Sequence, residues 1–62
     1  MPRYRFRFRT NGRVLQVRQA ECTDDEQAKV LAEGNLNAAD RAIISVEVWQ
    51  GTRLVRRIQR HG

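Results

Sequence analysis

The chain has 62 residues, with 12 Lys+Arg against 7 Asp+Glu and a net charge of +5 with His neutral. That length suits one small domain over residues 1–62, and a hydrophobic fraction of 40% is too high for a disordered polybasic tail. No stretch nears the ~18 apolar residues of a membrane span, no apolar leader segment follows Met1-Pro2-Arg3, and a lone cysteine, Cys22, permits no internal disulfide and fits a reducing cytoplasm.

Residues 3–9 read Arg-Tyr-Arg-Phe-Arg-Phe-Arg, the strict alternation of a half-buried strand. Asn11-Gly12 then predicts a two-residue hairpin turn in which both positions need positive φ. The return strand covers residues 13–20. A two-residue loop pairs Phe8 with Leu15, Phe6 with Val17 and Tyr4 with Gln19. One hairpin face then holds Tyr4, Phe6, Phe8, Leu15 and Val17. The other holds Arg3, Arg5, Arg7, Arg9, Val14, Gln16 and Arg18.

Thr23-Asp24-Asp25-Glu26 reads as a capping box, with Thr23 as N-cap and Glu26 three residues on. The acids also suit the positive end of a helix dipole. Ala28, Leu31, Ala32, Asn35, Leu36 and Ala39 lie on one helical stripe. Gly34 either ends this helix or sits inside it at a cost of ~1 kcal/mol relative to Ala. The stripe runs past it, so the helix is expected from about 24 to 39.

Alternation resumes at Ile43, with Ile44, Val46 and Val48 on one face. A turn over 49–52 leads into a fourth strand, 53–60. There Leu54 and Ile58 are expected in the core with Arg56 at its margin, while Arg53, Val55 and Arg57 face away. The expected fold is α+β: a two-layer ββαββ domain, one helix packed on a four-stranded, mainly antiparallel sheet. The strand order cannot be read from these patterns.

Charge follows the elements. Residues 1–20 carry six Arg and no acid. All seven acids fall between Glu21 and Glu47, and residues 48–62 again hold four Arg and no acid. One helix covers only one face of a four-stranded sheet. The other is expected to present Arg3, Arg5, Arg7, Arg9 and Arg18, joined by Arg53, Arg57, Trp49 and Val55. Four arginines on alternate residues make a row of roughly 20 Å. Eleven of the twelve cations are Arg, which grips phosphate in a fork and stacks on bases. The leading expectation is a non-enzymatic module binding an anionic partner, most readily nucleic acid, through the sheet. An acidic helix is a poor reader of a major groove.

Other readings stand beside it. Charged residues outside an alternating strand also describe any solvated sheet. A core this small makes a homodimer or another protein partner the alternative role, with Trp49 and Val55 as interface residues. Trp49 reads as a ring that stacks on a base, anchors a dimer or covers a sheet edge, the last favoured because a single aromatic makes a poor platform. Cys22 reads as a structural thiol and His61 as a solvated residue near the chain end. No Cys or His spacing suits a metal, no cofactor is expected, and no acid–base or nucleophile constellation points to an enzyme.

The opening Met1-Pro2-Arg3-Tyr4-x-Phe6 resembles a family of short bacterial proteins of unknown function. Ala28, Ala32 and Ala39 match its Ala-rich middle helix, and Val46-Glu47-Val48-Trp49-Gln50-Gly51 its closing hairpin. The first hairpin departs from it in its tight Asn11-Gly12 turn and Arg load. The resemblance implies a small α+β fold and transfers no functional residue.

Overall fold

The computed structural model describes residues 2–60; Met1, His61 and Gly62 lie outside them. Two hairpins flank one helix in the order ββαββ, as the alternation and the capping signal require. The elements are β1 (Arg3–Thr10), β2 (Arg13–Glu21), α1 (Asp25–Ala38), β3 (Ser45–Gln50) and β4 (Arg53–Gln59). The strands form one antiparallel sheet in the order β2-β1-β3-β4. The two hairpins therefore meet along β1 and β3, and β2 and β4 are the edges.

β1 sends Tyr4, Phe6 and Phe8 under the helix, each no more than 3% exposed. They meet Val46 and Val48 of β3, and Cys22, Ala28, Ala32, Leu36 and Ile43 complete the core. Ala28 and Ala32, fully buried one turn apart, let the helix backbone lie close on the sheet. α1 packs over β3, β4 and β1, and a depression lined by Gln16, Arg18, Asn35 and Ala38 separates it from β2. Leu31, expected in the core, is instead 41% exposed on the helix flank. Ile44, also expected inside, is exposed, and Ile43 takes the buried place. A turn anchored by Asp40 (Ile43 N–H to its carbonyl, Ala42 N–H to its carboxylate) sets that phase.

Neither hairpin keeps the simple register. Gly12 and Gly51 take positive φ (85° and 61°), but no other described residue does, so Asn11 does not adopt the expected conformation. Each turn lacks the twist that two positive-φ residues supply. Each return strand takes up the mismatch with one extra residue. Leu15 lies between the pairs Arg9–Val14 and Phe8–Gln16. Val55 lies between Trp49–Leu54 and Val48–Arg56. A one-residue bulge exchanges the faces of everything beyond it. Gln16 and Arg18 thus fall on the helix side, and Val17 joins the arginines. Leu15 and Val17 are half exposed rather than buried, and Leu54 lies opposite Trp49 instead of in the core.

The helix start is one residue later than the capping pattern suggests. Asp24 is the N-cap and accepts from the Gln27 N–H at 2.8 Å, while Gln27 reaches back to the Thr23 hydroxyl. Asp25 in the first turn ties helix to sheet. It accepts from the Tyr4 hydroxyl at 2.7 Å and from both Nη atoms of Arg53 at 3.1 and 3.2 Å. At the other end the last turn has no basic residue of its own. Arg60, just past β4, donates to the carbonyls of Leu36, Ala39 and Asp40 and brings a positive charge to the negative end of the helix.

These contacts set the pH range of stability. Hydrogen bonds from Arg53 and then Tyr4 hold the Asp25 carboxyl below its usual range. Its contribution is present above pH ~4 and is lost as acid protonates it. The bond to Asp25, with burial, pushes the Tyr4 phenol up to about 12. Burial, and then Asp24, also raises the Cys22 thiol. Both groups favour folding while protonated. Stability should therefore fall from pH ~8.5, where an unfolded cysteine ionises, and again through ~10–12 for Tyr4. In urea denaturation across pH, Tyr4→Phe is expected to flatten the second fall and leave the first.

Gly34 sits inside α1 with ordinary φ, and a Cβ there would meet nothing within 4 Å. Gly34→Ala should stabilise the fold by about 1 kcal/mol, read as a rise in Tm of roughly 4–8 °C.

Candidate functional site

The sheet face turned away from α1 is built from alternate residues of all four strands. β1 supplies Arg3, Arg5, Arg7 and Arg9. Cross-strand partners share a face. On β2 these are Glu21, Gln19, Val17 and Val14, in the same order. On the other side Trp49 lies beside Arg5, Glu47 beside Arg7 and Ser45 beside Arg9. β4 completes the face with Leu54, Arg57 and Gln59 opposite Trp49, Glu47 and Ser45.

The residues singled out from the sequence divide accordingly. Arg3, Arg5, Arg7, Arg9, Arg57 and Trp49 come together here. Arg18 does not: past the Leu15 bulge it lies opposite Phe6, on the helix side. Arg53 does not: it pairs with Gln50 on the helix side and is held by Asp25. Val55 is the bulged residue of β4, partly buried against the core, and does not join the alternating set of this face.

One residue of the face was not anticipated. Glu47 is 7% exposed although no helix covers it. Its Oε2 accepts from Arg9 Nη1 at 3.2 Å, and its Oε1 accepts from Trp49 Nε1 at 3.2 Å. Arg7 and Arg57 are its neighbours on the adjoining strands. A carboxylate there neutralises one guanidinium and fixes the edge of the indole. The alternation of β3 does place Glu47 opposite to Val46 and Val48. What the sequence lacks is the β1–β3 pairing that brings it among the arginines.

Arg9 is thus engaged, but Arg3, Arg5, Arg7 and Arg57 form no ion pair among the described residues. The face holds five arginines and two carboxylates, Glu21 and Glu47. Trp49 remains partly exposed. Near it a shallow depression is lined by Arg3, Tyr4, Arg5, Gln19 and Gly51. Among the described residues no three His, Cys, Asp or Glu side chains gather as a metal site, and no helix is long and apolar enough to cross a membrane. In comparisons with family models, curated proteins and solved structures, nothing matches this chain.

The two carboxylates of the face should respond differently to truncation. Glu47→Ala leaves Arg9 and the indole N–H without their acceptor and is expected to cost about 1–3 kcal/mol in urea denaturation. Glu21→Ala, at an exposed strand end, should stay within ~0.5 kcal/mol of the parent.

Proposed function

We propose that this protein binds nucleic acid through the uncovered face of its sheet. The observation that carries the reading is the run of guanidinium groups at Arg3, Arg5, Arg7 and Arg57, left without carboxylate partners on one face. Like charges held side by side repel, and polyvalent anions relieve that repulsion. A phosphate backbone presents such anions in a row and releases counterions on binding. Arg also makes forked hydrogen bonds to phosphate and stacks on bases. Trp49 on the same face adds an aromatic surface beside Arg5. The site provides contacts and no reactive constellation, so the role is binding rather than catalysis.

A labelled oligonucleotide titrated across a salt series tests this. With four free arginines, log K should fall with log salt at a slope of about −3 to −4. Arg5→Glu with Arg7→Glu should abolish binding without unfolding the protein, because neither side chain belongs to the core. Arg41→Glu with Arg56→Glu makes the same change in net charge away from the face and should preserve most of the affinity. Equal losses from both pairs, or no binding at low salt, would reject the reading.

A second reading rests on β2. This nine-residue edge strand is not packed under α1, and Val14, Leu15 and Val17 are 36–53% exposed. Unpaired strand edges pair readily with other strands. If β2 joins a second copy, light scattering should give twice the chain mass at low and high salt alike, and Val17→Lys should return it to one.

A further inference from the structure

The shape of the uncovered face restricts which form of nucleic acid it can hold. A duplex major groove is about 12 Å wide and admits one helix or a two-stranded ribbon. Four strands spaced ~4.8 Å apart already span about 14 Å between the outer strand axes. The Cα body measures 31 × 20 × 15 Å. The β1–β2 hairpin is not a free ribbon either, because α1 packs on the back of β1. Nor does the helix offer itself to a groove, with Asp24, Asp25 and Glu26 at its start and Glu33 further along.

A single strand needs no groove. Its bases are free to turn onto a flat surface and stack, while its phosphates follow a basic track. The face has both parts in the right relation. Trp49 is directly across from Arg5, and Arg7 is the next arginine along β1. The indole is also fixed at its edge: Nε1 donates to Glu47, whose other oxygen is held by Arg9. A ring pinned by its N–H loses little freedom when a base stacks on it.

Taking the nucleic-acid reading above as its basis, we infer that the face accepts single strands in preference to duplex. One base stacks on Trp49, and the flanking phosphates lie on Arg5 and Arg7. Glu47 is then a positioning residue, acting through the indole it holds.

Trp49 is the only tryptophan, so its fluorescence reports directly on the stacking. Oligothymidylate or oligouridylate of about 12 nucleotides should quench it. A hairpin duplex of equal phosphate number, at the same salt, should bind at least about tenfold more weakly and leave the emission unchanged. Trp49→Ala should weaken single-strand binding by about 5- to 150-fold and leave duplex binding unaltered, with Trp49→Phe intermediate. The phenylalanine variant keeps a ring in place should the alanine variant fail to fold. Duplex binding as tight as single-strand binding, or single-strand binding indifferent to Trp49, overturns this inference and leaves the nucleic-acid reading standing. No binding of either polymer by the parent protein overturns both.

Discussion

A side chain on a strand can point only one of two ways, and β1 assigns opposite chemistries to them. Its even positions from 4 to 8 carry rings, its odd positions guanidinium groups. The rings are wanted by the helix and the guanidinium groups by water, so a slip of one residue would bury four charges and expose three aromatics. No partial compromise is open to such a strand. β1 therefore fixes which face of the sheet α1 covers, and every other element adjusts to it. Both bulges fall on the return strands, where the side chains are mixed, and not on β1.

The helix is secured at its two ends by the opposite charges that its dipole favours. Asp25 in the first turn meets Arg53 and Tyr4, and Arg60 closes over the last carbonyls. Both arginines come from β4 or its end. These two cations thus hold the helix on the sheet instead of serving the open face. The core beneath is narrow, with alanines bringing the helix close, and β2 adds only Ala20 to its margin. That makes β2 the least protected strand, with no helix over it and a free edge beside it.

Placing one carboxylate inside a patch of arginines changes what the patch can do. Without Glu47 the only carboxylate of the face would be Glu21 at its end, and the five arginines would lie together with none among them. With it, Arg9 is withdrawn from general use and the indole of Trp49 is set in a defined orientation. The arginines that remain lie along β1 and at Arg57, around the partly exposed indole. Such a surface separates an aromatic contact from a charge contact by one strand spacing, about 4.8 Å. Under the proposed function, that spacing is what would suit a polymer of bases and phosphates better than a simple polyanion.

The sequence by itself determined the element order, the helix with its acidic start, and the two directions of β1. These rest on periods of two and 3.6 residues and on local capping, which act within a few residues of chain. It also determined that the arginines cluster at both ends of the chain. Only the tertiary structure decided which of them share a surface. The β1–β3 pairing joins residues about forty positions apart, and nothing local encodes that Glu47 will lie beside Arg7. The bulges at Leu15 and Val55 arise from turn geometry that Asn11-Gly12 and Gly51-Thr52 leave undetermined. Each moves one arginine or one valine to the other side: Arg18 leaves the row for the helix face, and Val55 leaves the surface for the core. Arg53, on the turn side of the Val55 bulge, falls on the helix side and meets Asp25, a partner visible only once strand and helix meet.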